Sequence, residues 1–294
     1  MKTLLIFGGS GLVGSTLIQK LSGNYNVVAT HRNNAVLSTN TKNVKLDLLD
    51  TNINVNPLLE KELPDIVVNT IAFSNVDYCE TNKKDADYLH VTRTEEIAKA
   101  CDNIGAKLIY ISTDWVFDDS KKIFSENDIP NPMNYYGITR LRAEKSVLNQ
   151  NQRNVVIRPA VIYGWHKNAK FLNFVLENLK SKKEVFAFTD QYSTPTLVYD
   201  LVDSIRKIIE LDAEGIFHTV GSSCVNRFEF AKKIAQKFDY DENLIKPVIT
   251  DEKPQVAKRP KISCLDNSKA RKELGVEFST IDKGIEIVLK LSTI

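Results

Sequence analysis

Short runs of apolar, mostly β-branched residues recur along the first 220 positions, and stretches with helical periodicity separate them. Each run is apolar at consecutive positions, which is typical of strands buried on both faces of a parallel sheet. The alternation of strand and helix predicts an α/β fold built on a doubly wound, parallel Rossmann sheet. The predicted strands are Leu4 to Phe7, Val27 to Ala29, Val44 to Leu46, Ile66 to Val68, Leu108 to Ile111, Val155 to Ile157 and Ile216 to Val220.

The regular alternation weakens after Tyr163. A helical stretch from Phe171 to Leu179 follows, and an amphipathic helix and a proline-punctuated segment occupy the C-terminal part. We therefore predict a smaller, discontinuous substrate-binding domain that closes over the sheet. The predicted boundaries are 1–163 and 196–221 for the dinucleotide-binding domain, and 164–195 and 222–294 for the substrate-binding domain.

Composition narrows the function classes. The chain has 294 residues with 39 Lys and Arg against 37 Asp and Glu, so no bulk positive field is available to hold a nucleic acid or an anionic membrane. No apolar run reaches membrane-spanning length. These features predict a cytoplasmic protein without nucleic-acid or membrane partners.

The cysteines and histidines show no metal-ligand spacing, which predicts that no metal is bound. The four cysteines are far apart in the sequence, and we interpret them as free thiols in a reducing compartment. They are Cys79, Cys101, Cys224 and Cys264.

A glycine-rich turn follows the first predicted strand and opens the first helix. Glycines at this place allow a tight turn and bring backbone N–H groups close to a pyrophosphate at the positive end of the helix. The turn therefore predicts a dinucleotide site. The residues expected to bind the cofactor here are Gly8, Ser10, Gly11, Leu12, Val13 and Gly14.

The end of the second strand indicates which dinucleotide is bound. Arg32 stands where an NAD-preferring site usually has an acidic residue, and its guanidinium suits a 2′-phosphate. This favours NADP(H), with NAD(H) as the alternative. Asp47 and Leu48 after the third strand and Ala72 after the fourth are further candidate cofactor contacts.

A tyrosine and a cation four residues apart mark the candidate catalytic helix. Tyr136 and Arg140 lie on one helix face, and tyrosine can protonate a carbonyl oxygen if a nearby cation lowers its pKa from about 10. Thr113 and Asp114 follow the fifth strand, where ligands bind in such folds. Thr113 would hold the same carbonyl oxygen, and Asp114 would hold a sugar hydroxyl or relay a proton.

These residues together resemble the dTDP-4-dehydrorhamnose reductases of the extended short-chain dehydrogenase/reductase superfamily. The resemblance covers nearly the whole chain. Its segments are Ile111 to Asp118, Arg158-Pro159, Tyr163-Gly164, Asn173-Phe174, Asp190-Gln191, Thr194-Pro195-Thr196, Asp200-Leu201, Gly215 to His218 and Arg259-Pro260.

The resemblance implies NADPH-dependent reduction of the 4-keto group of a dTDP-linked deoxyhexulose. The product would be dTDP-L-rhamnose for polysaccharide synthesis, and a homodimer is compatible with this class. With the predicted cleft, it assigns substrate contacts to Thr113, Trp115, Phe117, Asn173 and Arg259.

Four positions depart from the family pattern. Arg140 stands where the family expects Lys, Trp115 replaces Tyr, Asp119 replaces Gly, and His90 stands where Asn is common. An arginine keeps the positive charge but is bulkier and does not give up a proton. Two alternatives therefore stay open: a nucleotide-sugar epimerase, and a non-catalytic NADP-binding regulatory subunit resembling the methionine adenosyltransferase beta subunit.

Overall fold

The computed structural model describes residues 1–36, 38 and 40–293. Its strands are β1 Thr3–Phe7, β2 Asn26–His31, β3 Thr41–Lys45, β4 Ile66–Asn69, β5 Lys107–Ile111, β6 Val155–Arg158, β7 Ile162–Tyr163, β8 Val185–Phe188, β9 Tyr192–Ser193, β10 Thr196–Leu197, β11 Gly215–His218, β12 Val225–Asn226 and β13 Ile245–Val248. Seven parallel strands form the main sheet, in the order β11-β6-β5-β4-β1-β2-β3. Short two-stranded sheets pair the remaining strands.

Helices connect these strands, and a short π-helix at Asp87–Thr92 precedes α5. The α-helices are α1 Leu12–Leu21, α2 Asn56–Glu62, α3 Val76–Thr81, α4 Lys83–Ala86, α5 Arg93–Asn103, α6 Tyr135–Gln150, α7 Lys170–Lys180, α8 Val198–Glu210, α9 Arg227–Lys237, α10 Ser268–Leu274 and α11 Ile281–Ser292.

The sheet is covered on both faces, which confirms the doubly wound prediction. Side chains of β1 alternate between the two layers: Leu4 and Ile6 pack with α1 and α8, and Leu5 and Phe7 pack with α5 and α6. Because both faces are buried, strands β4, β5 and β6 are buried at every residue. Only consecutive apolar residues fit such strands, and these strands can therefore be predicted from the sequence.

The third strand differs from its prediction. It spans Thr41–Lys45 rather than Val44 to Leu46, and none of its residues is fully buried. β3 pairs only with β2, at the edge of the sheet. An edge strand has one unpaired side, so polar residues are tolerated along it and the apolar run marks only part of the strand.

A second hydrophobic core lies outside the main sheet. It joins α7, α9 and α11 with β8 and β13, and the last two strands pair in parallel. Helix α10, inside the span 222–294, packs its Ala270 and Leu274 in the main-sheet layer with α8. The apolar face of α10 has the same period in either location, so the sequence did not distinguish them.

The cysteine prediction is wrong for two of the four residues. Cys224 and Cys264 form a disulfide with Cα atoms 5.7 Å apart, whereas Cys79 and Cys101 are buried free thiols. The paired residues are 40 positions apart, and their proximity is created by the packing of the C-terminal segment against the loop after β11. Within the described residues, no helix is long and apolar enough to cross a membrane.

Candidate active site

A cavity of about 1200 Å³ opens where the main sheet meets the second core. It lies at the carboxyl ends of β1, β4 and β5, which is where ligands bind in open parallel sheets. Ligand pockets for one drug-sized molecule usually measure roughly 300–1000 Å³. The cavity is therefore large enough for an extended ligand or for two ligands side by side.

The glycine turn forms one end of this cavity. Gly8 has φ +89°, a left-handed conformation that disfavours other residues, and its carbonyl accepts a hydrogen bond of 3.1 Å from Gly11 N–H. A Cβ at Gly14 would overlap the Gly8 carbonyl oxygen and lie 2.8 Å from the Gly9 Cα. The turn is thus packed tightly against the start of α1, whose residues Leu12 and Val13 line the cavity.

The other predicted cofactor residues lie at different depths. Ala72 lines the cavity, and the Ser10 carbonyl accepts a hydrogen bond of 3.3 Å from the Asn168 side chain. Arg32 is exposed just after β2, and Asp47 is half-buried in the loop after β3. Leu48 is 3% exposed and packs in the core beneath the sheet, and its carbonyl accepts a hydrogen bond of 2.9 Å from the Arg93 side chain.

Tyr136 lies in the first turn of α6 and faces the cavity together with Thr113 and Asp114. Asn134 caps the start of the helix, and its side chain accepts a hydrogen bond of 2.9 Å from Gly137 N–H. A Cβ at Gly137 would overlap the Trp115 carbonyl, so glycine here lets the helix start approach the segment after β5. That close approach brings the tyrosine and the threonine to one wall.

Two rings hold the Tyr136 ring edge-on. The ring centroid of His90 is 5.6 Å away and that of Trp115 is 6.0 Å away. His90 Nε2 accepts a hydrogen bond of 2.9 Å from Phe73 N–H, and its Nδ1 lies 2.8 Å from the Thr139 hydroxyl. Because His90 is fully buried, its pKa is lowered to about 2, so it stays neutral and acts here as a rigid packing partner.

Arg140 lies one turn beyond Tyr136 and is 2% exposed. Its guanidinium donates to the Ile111 carbonyl and, over 3.4 Å, to the Ile71 carbonyl, and it stacks on the Tyr110 ring at 4.6 Å. Its Nε is buried and makes no hydrogen bond within the described part of the chain. The cation therefore sits at the cavity wall between the ends of β4 and β5.

The net direction of the Tyr136 pKa differs from the expectation. Arg140 and a hydrogen bond with Thr113 act to lower the pKa, but burial outweighs them and raises it above 10. The expectation considered the cation alone, whereas the cavity wall also removes water from the phenol. The phenol is therefore protonated at neutral pH, which suits a proton donor.

Asp114 is buried and has an unusual pKa. Burial raises the pKa of its carboxyl to about 6, although hydrogen bonds from Ser263 and Thr113 and the charge of Arg227 oppose this. The Ser263 hydroxyl donates over 2.6 Å, and the Thr113 hydroxyl donates over 3.0 Å. Asp114 thus changes its protonation near neutral pH, and a residue from the far end of the chain modulates that change.

A buried ion pair that we did not predict lies behind this wall. Glu144 and Arg158 are each 2% exposed and 2.7 Å apart, and Glu144 also accepts a hydrogen bond from Ser112. The pair fixes α6 to β5 and β6 directly beneath the cavity. Glu144 is eight residues after Tyr136 and so shares its helix face, a periodicity signal that would have identified it.

The predicted substrate contacts separate into two groups. Trp115 and Arg259 line the cavity, and the Arg259 guanidinium lies 5.6 Å from the Trp115 ring. Phe117 lies outside the lining, because it is fully buried and stacks on Phe124. Asn173 also lies outside, since its amide donates to the His166 and Lys167 carbonyls at 3.0 Å.

The sequence did not indicate the outer wall of the cavity. It is formed by the second core and carries several aromatic and cationic side chains that come from four separate segments. The described residues contain no group of side chains suited to hold a metal ion. The lining residues in question are Phe171, Phe174, Phe186, Phe188, Arg227 and Lys253.

Comparison with known proteins identifies a family model and a relative that are similar to this chain. A family model described as the RmlD substrate binding domain matches residues 1–293. Methionine adenosyltransferase 2 subunit beta of Bos taurus is 32% identical over 278 residues, which are 91% of this chain and 81% of that protein.

Two solved structures are similar over almost their full length. A hypothetical dTDP-4-dehydrorhamnose reductase from Sulfolobus tokodaii is 36% identical with a TM-score of 0.86, covering 97% of this chain and 99% of that one. The dTDP-4-dehydrorhamnose reductase from Bacillus anthracis str. Ames, solved in complex with NADP, is 26% identical with a TM-score of 0.89 and 99% coverage of both chains.

Proposed function

The chain belongs to the RmlD substrate-binding-domain family, and from this premise we propose that it is an NADP(H)-dependent reductase of a nucleotide-linked deoxysugar. The proposed substrate is dTDP-4-dehydrorhamnose, and the proposed product is dTDP-L-rhamnose. One observation carries the proposal: Tyr136, Thr113 and Arg140 line the same cavity as the glycine turn at Gly8 and Gly11.

The cavity fits a dinucleotide at its sheet end. The glycine turn has no room for side chains where a pyrophosphate would approach, and the N-terminus of α1 faces the same space. Arg140 would hold the nicotinamide ribose through its Nε, which has no hydrogen-bond partner among the described residues, and Arg32, exposed just after β2, would pair with the 2′-phosphate. The cofactor is NADP(H), as in the similar Bacillus anthracis structure, with NAD(H) as an alternative.

Tyr136 is the proposed proton donor. When bound, the reduced cofactor supplies a hydride to the carbonyl carbon. The Tyr136 phenol gives its proton to the carbonyl oxygen, and Arg140 stabilises the phenolate that remains, so that ketone, hydride and proton balance to an alcohol. The Thr113 hydroxyl orients the carbonyl oxygen in this scheme.

Asp114, Trp115 and Arg259 are proposed to bind the substrate. The Asp114 carboxylate would accept a hydrogen bond from a sugar hydroxyl, and the Trp115 ring would pack on the sugar face. Arg259 lies over that ring. Phe117 and Asn173 are not part of the proposal, because their side chains are engaged outside the lining.

A second function has its own support. The similarity to methionine adenosyltransferase 2 subunit beta, at 32% identity, favours a cofactor-binding subunit of another enzyme. A subunit of this kind has no need for a tyrosine, a threonine and a buried aspartate on the wall of an open cavity, so the reductase remains the first proposal. An epimerase acting on a related sugar would use the same wall.

The test is a coupled measurement of turnover and cofactor binding. Oxidation of NADPH with dTDP-4-keto-6-deoxyhexose is followed for the wild type and for Tyr136→Phe. Because general acid catalysis contributes roughly 10²- to 10⁴-fold, we expect kcat to fall by that factor while NADPH affinity is retained. Tight NADPH binding without wild-type turnover on this or any related nucleotide sugar would instead support the subunit.

A further inference from the structure

Arg227 is an arginine of the cavity wall that no sequence pattern indicated. It is the first residue of α9, and the helix start is fixed by a capping box in which Asn226 and Glu229 exchange hydrogen bonds. Its guanidinium stacks on the Phe171 ring at 5.1 Å. Ring stacking holds the guanidinium plane but leaves the N–H groups at its edge available.

The cation pairs with no carboxylate in the part of the chain that the structure describes. Within the described residues, the Arg227 side chain makes no hydrogen bond and no ion pair, whereas Arg259 pairs with Asp77 at 2.5 Å and donates to the Ala257 carbonyl at 2.6 Å. Burial lowers the pKa of Arg227 to about 10, and Asp114 opposes that shift. Partial burial of a cation without a hydrogen-bond partner costs free energy, and within the described residues only the longer-range attraction of Asp114 offsets that cost.

The other cations of the wall differ from Arg227 in their surroundings. Lys167, Lys170 and Lys253 are exposed at the cavity rim, where water solvates their charges at little cost. They would attract an anion from solution but hold it weakly. Arg227 is half-buried and its stacked plane is preorganised, which is the arrangement that binds an oxyanion in two-point geometry.

We infer that Arg227 binds an oxyanion of the substrate, namely the diphosphate of the nucleotide portion, and so anchors the sugar beside Asp114 and Thr113. This inference rests on the proposed function for the substrate class. A carboxylate on the sugar ring presents the same chemistry from a second source. The diphosphate and the sugar carboxylate lie on opposite sides of the carbon that joins the sugar to the nucleotide. Binding measurements distinguish these two anions.

Calorimetric titration of NADP⁺-loaded protein with dTDP tests the inference without turnover. Charge-assisted hydrogen bonds are worth about 1.5–3 kcal/mol, so we expect Arg227→Gln to weaken dTDP binding roughly 10- to 100-fold. Arg227→Lys keeps the charge without the planar fork and should give an intermediate loss. The matched control is Lys237→Gln, which removes the same charge from an exposed position of the same helix and should leave dTDP affinity unchanged.

The second arm compares UDP-glucuronate with UDP-glucose. If Arg227→Gln leaves dTDP affinity intact but abolishes a preference for UDP-glucuronate, the oxyanion is the sugar carboxylate and the diphosphate assignment is wrong. Unchanged binding of all three ligands would overturn the inference altogether. NADP⁺ titration of each variant verifies folding, and dTDP binding stays informative even if the wild type reduces no sugar.

Discussion

The two ends of the cavity are built in contrasting ways. The glycine turn at the cofactor end is made from contiguous chain, in which β1, the turn at Gly8 and α1 follow one another within residues 3–21. The substrate end combines α7, β8, the start of α9 and the segment around Ser263. A contiguous site depends on local backbone geometry, whereas an assembled site depends on everything that holds distant segments together.

The assembled end has a covalent restraint that the contiguous end lacks. The disulfide joins Cys224, three residues before Arg227, to Cys264, which adjoins Ser263. Both segments contribute a side chain that acts on Asp114. The glycine turn is held by hydrogen bonds instead: Gly9 N–H donates to the Thr30 carbonyl over 2.8 Å, and Gly11 N–H donates to the Gly8 carbonyl over 3.1 Å.

Removing the disulfide should have the largest effect on stability. A bond closing a loop of this length typically stabilises a protein by about 2–4 kcal/mol. We expect the double variant Cys224→Ser, Cys264→Ser to lose that much free energy of unfolding, measured by urea denaturation without reductant. Because the glycine turn is remote from the bond, NADPH affinity should change by no more than about twofold.

Reduction of the wild type with a dithiol provides the matched control, and it should reproduce the loss in stability but leave the double variant unaffected. An unchanged urea midpoint in the double variant would show that the bond restrains nothing. A parallel loss of NADPH affinity would show that the two ends of the cavity are not independent.

Adding a methyl group to the glycine turn, at the opposite end of the cavity, should have the next largest effect. Gly14→Ala places a Cβ against the Gly8 carbonyl, and overpacking of this kind costs about 1–3 kcal/mol. We expect NADPH affinity to fall by the corresponding factor in a fluorescence titration, with little change in dTDP affinity. Gly23→Ala is the control, since a Cβ there has no neighbour within 4 Å, and equal losses in the two variants would refute the account of the turn.

The smallest expected effect is a shift in the pH dependence of kcat/KM. It depends on Asp114, which lies where the two ends of the cavity meet. The pKa of Asp114 is raised to about 6, so its carboxylate is present above that pH and is lost as the pH falls. If the carboxylate accepts a substrate hydroxyl, kcat/KM should decline below about pH 6. Ser263→Ala removes a hydrogen bond that lowers this pKa, so the decline should move to higher pH.

The control for this pH shift is Asp114→Asn, in which the decline near pH 6 should disappear. A wild-type profile that is flat through this range would contradict a role for the ionised carboxyl. A decline at the same pH in Ser263→Ala as in the wild type would show that the serine does not tune it.

Much of the fold and one wall of the site could be predicted from the sequence. Buried strands such as Leu108 to Ile111 need consecutive apolar residues, and the spacing of Tyr136 and Arg140 places both on one helix face. The edge strand β3 and the hydrophobic core to which α10 belongs were harder to predict. An apolar face shows that a surface is buried but not which element covers it.

The residue sequence by itself determined the parallel sheet, the glycine turn and the pairing of a tyrosine with a cation, since each depends on positions a few residues apart. Only the tertiary structure decided that burial outweighs Arg140 in setting the Tyr136 pKa, that Cys224 meets Cys264, and that Arg227 lines the cavity. These features arise from contacts between segments tens of residues apart, and no local periodicity encodes such contacts.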